Sequence, residues 1–199
     1  MKIGVLASGR GSNLQAIIDA IKDGRLPVTM KVVISDREDA PALNRARQAE
    51  VFAVFINPKD FPKRVEYDLK VAEVLSENGI DLVVLAGYMR LISAEFLMRF
   101  PLRVVNIHPS LLPAFPGLNP QEQALAYGVK FSGCTVHFVD AGIDTGPVIA
   151  QAVVPVLDDD TEKTLSERIL KEEHKLYPQV LAWIAAGRVL VAGRRVIVK

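Results

Sequence analysis

Short β-branched runs and helical patterns alternate from Lys2 to Phe100, and few folds accept that rhythm. Lys2–Ala7 precedes Asn13–Asp23, Met30–Ser35 precedes Ala40–Glu50, Val51–Ile56 precedes Arg64–Asn78, and Leu82–Ala86 precedes Ser93–Phe100. Strands joined by such short helical connections bury their apolar faces best when they run parallel with right-handed crossovers. Val83-Val84-Leu85 and Val104-Val105 are nearly continuous apolar runs, as central strands covered on both sides require. The expected fold class is α/β: a Rossmann-like, mostly parallel twisted sheet with helices on both faces.

After His108 the rhythm changes. Pro109, Pro113, Pro116 and Gly117 break regularity, a short helix is expected over Glu122–Tyr127, and Gly133–Val139 and Pro147–Val156 read as strands. Thr135, His137 and Val139 would share one strand face. Asp158, Asp159, Asp160 and Thr161 open the longest helix with groups suited to its N-terminus, and Ala185-Ala186-Gly187 closes it. Val189–Val191 and Arg195–Val198 around Ala192-Gly193 resemble a small terminal hairpin. No repeat, low-complexity segment or linker interrupts the chain, so 1–199 is expected to form a single domain.

Charge and apolar patterning narrow the function classes. Against 23 Asp and Glu stand 24 Lys and Arg, a net charge of +1, so the basic field that drives polynucleotide binding is absent and no nucleic-acid partner is expected. Arg188, Arg194 and Arg195 form the densest basic patch and read as a solvated hairpin. No apolar run approaches the roughly 18 residues of a membrane span, and no signal-peptide core follows Met1, which predicts a cytoplasmic protein with no membrane partner. The single Cys134 fits a reducing compartment.

Two segments carry the chemistry. Ser8-Gly9-Arg10-Gly11-Ser12-Asn13 lies between the first strand and the first helix, where glycines let the backbone approach an anion and helix amides point at it. A phosphate site and a tight turn capped by Ser12 or Asn13 both fit that position. The full Gly-x-Gly-x-x-Gly spacing and a Gly-Lys-Ser/Thr are missing, which disfavours a dehydrogenase and a P-loop nucleotide triphosphatase.

The second is Asn106-Ile107-His108-Pro109-Ser110 at a strand's carboxyl end, the edge where open parallel sheets gather ligands. Asn106 and His108, two apart in extended chain, emerge on one side. Histidine is the side chain type suited to proton transfer near neutral pH, and Asn106 offers a neutral donor to developing negative charge. Asp144, in the loop Asp140-Ala141-Gly142-Ile143-Asp144-Thr145-Gly146, is either a charge partner for His108 or an Asx-turn residue. Asp140 and Asp144 lack the His-x-x-x-His or cysteine pair that would complete a metal site, so no metal is expected. His137 reads as a packed or hydrogen-bonded strand residue, and His174 as exposed or capping a neighbour. Glu173 follows Ile169 by four and precedes Leu176 and Tyr177, which places a carboxylate on an inward helical stripe. Sugar hydroxyls and a structural salt bridge are both plausible partners for it.

Ser8–Asn13, Leu85-Ala-Gly-Tyr-Met-Arg90, Asn106-Ile-His-Pro-Ser-Leu-Leu-Pro113 and Asp140-Ala-Gly-Ile-Asp-Thr-Gly-Pro147 together resemble the phosphoribosylglycinamide formyltransferases, within the wider family of 10-formyltetrahydrofolate-using enzymes. The resemblance runs in order over nearly the whole chain. It implies formyl transfer from 10-formyltetrahydrofolate, a co-substrate, to the amine of 5-phosphoribosylglycinamide in purine biosynthesis, without a metal or redox cofactor. It divides the domain into a phosphate-binding half, 1–100, and a catalytic and folate-loop half, 101–199. It also implies site residues: Asn106, His108 and Asp144 as catalytic, and Gly11, Ser12 and Asn13 on the phosphate. Leu170, Lys171, Glu172 and Glu173 would line the ribose site. Arg64, Met89, Arg90, Leu91, Ile92, Asn106 and the loop residues Asp140, Ala141, Gly142, Ile143 and Asp144 would meet the folate. The expected state is monomer or homodimer.

The chain departs from many relatives at Asn119 and Gln121, where one or both positions carry histidine, and Pro120 stiffens the segment between them. Alternative functions are another 10-formyltetrahydrofolate enzyme, such as a deformylase or a sugar-nucleotide formyltransferase, and a non-catalytic phosphate-binding module. Methionyl-tRNA formyltransferase would be expected to bring a further C-terminal domain, and the deformylase an N-terminal regulatory one.

Overall fold

A computed structural model describes residues 1–199 and resolves into two compact units, Met1–Asn106 and Ile107–Lys199. In the first, β1 (Lys2–Leu6), β2 (Thr29–Ser35), β3 (Phe52–Phe55), β4 (Leu82–Leu85) and β5 (Val104–His108) lie in the order β3-β2-β1-β4-β5. Every neighbouring pair is parallel. The last two residues of β5 belong to the second unit. The crossovers are α1 (Ser12–Lys22), α2 (Pro41–Gln48), α3 (Arg64–Glu77) and α4 (Ala94–Arg99).

The most apolar strands take the middle. Ile3, Val5 and Leu6 of β1, and Val83 and Val84 of β4, have no exposed surface, whereas Phe52 on edge strand β3 is 58% exposed. Gly4 makes room for α3: a methyl there would lie 2.5 Å from Leu75 Cδ2. Leu75 is fully buried, so truncating it to Ala would cost about 2–5 kcal/mol.

In the second unit β6 (Phe131–Phe138) and β7 (Val148–Pro155) pair antiparallel, and α6 (Glu162–Ala185) packs on both. α5 (Pro120–Tyr127) packs against α6. A hairpin of β8 (Val189–Ala192) and β9 (Arg195–Val198) follows, with β9 against β7. α6 is started by a capping box, Thr161 accepting from the Thr164 amide while the Thr164 side chain accepts from the Thr161 amide, worth about 1 kcal/mol. Asp160 adds a two-pronged pair with Arg168 at 2.6 and 2.8 Å, and those bonds hold its carboxyl below the usual carboxylate range. Leu165, Ile169, Leu176, Tyr177, Val180 and Leu181 form the buried stripe. Cys134 sits fully buried in β6, and burial pushes its thiol up to about 12.

The fold class is as expected: α/β and Rossmann-like, seven sheet strands mostly parallel, with a long C-terminal helix and a small antiparallel hairpin. Boundaries differ by a residue or two. α5 opens at Pro120 rather than Glu122, because proline's fixed φ and missing amide suit a helix's first position.

Candidate functional site

The glycine loop follows β1 directly. Gly11 stands at the N-cap of α1 with left-handed backbone, φ 70°, and has no side chain to offer as a cap. Ser12 and Asn13 fall at the first two positions inside the helix rather than at the cap position, and the helix presents its amide end at the loop. Glycine is demanded twice at position 11, by that φ and by Ala42, whose Cα would be 2.9 Å from an added methyl. α2 braces the loop from outside. The Ala42 amide donates to Gly9 O at 3.2 Å, and Arg45 Nε donates to Arg10 O at 2.9 Å. Gly11 and Asn13 are buried and Ser12 half-buried.

The segment after β4 presents apolar side chains from a fastened backbone. Met89 is 67% exposed and Leu91 52%, Ile92 is half-buried, and Arg64 is exposed at the start of α3. The Arg90 guanidinium lies 4.7 Å over the Tyr67 ring. Tyr67 is fully buried and hydrogen-bonded to Tyr88 at 3.2 Å, and burial pushes its phenol up to about 12. Asp68, 1% exposed, accepts the Ser93 amide at 2.8 Å; burial raises its carboxyl, against the opposing effect of that bond.

The pair of His108 and Asp144 lies in the second unit. His108, 5% exposed, has Nδ1 3.3 Å from Asp144 Oδ2 and Nε2 2.8 Å from the Phe115 carbonyl oxygen. A carbonyl oxygen only accepts, so Nε2 carries a hydrogen; donation from Nδ1 as well takes the imidazolium. Asp144 Oδ2 also accepts the Gly117 amide at 2.8 Å. Asp144 itself has φ 54°, left-handed backbone that a non-glycine residue adopts at some cost. The Asx turn in this loop belongs to Asp140, which accepts from the Gly142 amide at 3.1 Å and Thr145 Oγ1 at 2.6 Å. Ala141, Gly142 and Ile143 between them are exposed. Asn106, half-buried, stands two residues before His108 on β5.

Three participants were not legible in the sequence. The Phe115 carbonyl and Gly117 amide are main-chain groups, carrying no side-chain signal beyond the prolines and glycine around them. His137 reads as a packed strand histidine and does bond Phe138 O through Nδ1 at 2.8 Å. Its Nε2 also lies 3.6 Å from Asp144 Oδ1, and burial lowers its pKa. Its alternation with Thr135 on one face was the available hint.

Of the four α6 positions, Glu173 alone is buried, at 6% exposure; Leu170 is half-buried and Lys171 exposed. Glu172 pairs with Lys175 at 2.8 Å. His174 is half-buried. The hairpin residues Arg188, Arg194 and Arg195 are exposed, as expected of a solvated hairpin, and Arg194 donates to Thr145 O at 2.7 Å and Arg188 to Lys199 O. A groove of about 350 Å³ is lined by Leu111, Ala114, Phe115, Tyr127, Val129, Phe131 and Ser132 and carries no acid or base besides Tyr127. No helix is long and apolar enough to cross a membrane.

Residues 1–181 match the formyl transferase family. Phosphoribosylglycinamide formyltransferase of Escherichia coli is 45% identical over 94% of this chain and 89% of its own length. The trifunctional purine biosynthetic protein adenosine-3 of Drosophila melanogaster is 48% identical over 96% of this chain, which spans 14% of that longer protein. The crystal structure of glycinamide ribonucleotide transformylase 1 from Symbiobacterium toebii superposes with a TM-score of 0.98 at 56% identity, covering 100% of this chain and 93% of that one. A formyltetrahydrofolate deformylase from Pseudomonas syringae is more distant, at 27% identity, TM-score 0.90 and 65% of that chain.

Proposed function

The chain belongs to the formyl transferase family, and from that premise we propose that it transfers the formyl group of 10-formyltetrahydrofolate to the amine of 5-phosphoribosylglycinamide. The products are formylglycinamide ribonucleotide and tetrahydrofolate, a step of purine biosynthesis. The observation that carries the reading is the pairing of His108 with Asp144, at 3.3 Å, beside Asn106 on the same strand.

The amine nitrogen attacks the formyl carbon, and the carbonyl electrons move onto oxygen. Asn106 and the His108 imidazolium stabilise that oxyanion. The new ammonium loses a proton to solvent, and His108 delivers one to N10 of the folate, exchanging the Phe115 carbonyl for the substrate as its acceptor. The C–N10 bond then breaks. Asp144 stabilises the charged ring until that transfer and receives no proton itself, and the neutral ring regains its proton from solvent.

Gly11, Ser12 and Asn13 take the phosphate, and Glu173, with Leu170, Lys171 and Glu172 near it in sequence, takes the ribose hydroxyls. Arg64, Met89, Arg90, Leu91, Ile92 and the Asp140–Asp144 loop take the folate. The whole of 1–199 serves as one catalytic domain acting on small molecules in the cytoplasm, as monomer or homodimer, and no metal takes part. The test is tetrahydrofolate release from 10-formyltetrahydrofolate with and without phosphoribosylglycinamide. Release only with the amine supports the transferase; equal release in both mixtures identifies a deformylase and overturns it.

A further inference from the structure

Ser8 does more than precede the glycine loop. Its amide donates to Gly87 O at 3.0 Å, and its hydroxyl oxygen accepts the Met89 amide at 2.9 Å. One residue thus stitches the loop after β1 to the segment after β4 through two bonds, with its own hydroxyl hydrogen needed for neither. At 3% exposure, Ser8 shares these bonds little with bulk water, so their strength is kept. The far end of the segment is held independently, by Asp68 on the Ser93 amide and by the Tyr67 ring under Arg90. A stretch anchored at one end from α3 and at the other on Ser8 passes a displacement on rather than absorbing it.

We propose that Ser8 is a positioning residue that makes the two substrate loops cooperative. An anion that orders Gly11–Asn13 also orders the main chain at Met89, and a folate seated on Met89–Ile92 orders the anion loop. The inference rests on the loop assignments made under the proposed function. By linkage the two ligands must strengthen each other by the same factor. The contact at stake is one buried hydrogen bond, so the factor is about threefold to tenfold.

Calorimetry on the full chain measures the affinity for phosphoribosylglycinamide alone and with saturating tetrahydrofolate. Wild type should bind the ribonucleotide about threefold to tenfold more tightly in the second case. In Ser8→Ala the ratio should fall to near one, and Ser8→Thr, which keeps a hydroxyl, should retain it. Single-ligand affinities that drop while the ratio persists would mark Ser8 as merely structural and overturn the proposal. Wild type binding both ligands without coupling overturns this inference alone. Wild type binding neither overturns the functional reading and this inference with it.

Discussion

In the unit Met1–Asn106 the candidate anion site is made of main chain: Gly11 at φ 70°, the amide end of α1, and a brace from Ala42 and Arg45. In the unit Ile107–Lys199 the candidate reactive site is made of side chains from distant segments, His108 from the end of β5, Asp144 from the loop after β6, and His137 from β6 itself. Backbone sites discriminate by shape and tolerate no added atom at the glycine. Side-chain sites discriminate by charge, and a substitution there can leave the shape while removing the chemistry. The two units should therefore fail differently when mutated.

The largest effect is expected at His108. His108→Ala should lower kcat by roughly 10²–10⁴, the usual contribution of a general acid, with the melting temperature nearly unchanged. A kcat within a factor of a few of wild type would remove His108 from the chemistry. Gly11→Val tests the other half: the backbone conformation alone costs about 1–3 kcal/mol, and the clash with Ala42 adds to it. It should weaken ribonucleotide binding by about tenfold or more while folate binding moves less; equal loss for both ligands by calorimetry would erase the contrast between the units.

Asp144→Asn should lower the rate by about tenfold, the low end of what a hydrogen bond to a charged group supplies, and should alter the pH–rate profile. An unchanged rate and profile would leave Asp144 a turn residue. The smallest effect is one of stability. Burial raises the Asp68 carboxyl in the fold, so the folded state holds that proton more tightly than the unfolded chain, and stability from this group is lost as pH rises through its folded pKa. Asp68→Asn, which keeps an acceptor for the Ser93 amide, should therefore match wild type in acid and gain relative stability toward neutral pH in denaturant titrations. A wild type that gains on the variant as pH rises would reverse the sign.

The same contrast explains what was legible beforehand. Strands and crossovers were readable to within a residue or two because Val83-Val84-Leu85 or the α6 stripe repeats a local pattern, and the buried position of Glu173 followed from its spacing to Ile169 and Tyr177. The Gly11 loop was readable as a place, though its capping was not, since Ser12 and Asn13 look like caps in any sequence. Asp144 could not be told from Asp140 as the turn residue; only the fold puts one on His108 and the other on Gly142 and Thr145. Phe115 and Gly117 act through backbone atoms that every residue possesses, and Ser8 through a contact spanning 81 positions. Neither kind of interaction leaves a periodicity to read.

Cys134 has a practical consequence. It is the chain's one cysteine, wholly buried, with a thiol that stays protonated well above neutral pH, and it is the thiolate that reacts with alkylating reagents. The native protein is thus silent to maleimide chemistry without any prior cysteine removal. A single cysteine placed at exposed Ala141 would take a fluorophore or spin label cleanly, turning the Asp140–Asp144 loop into an optical reporter of substrate arrival.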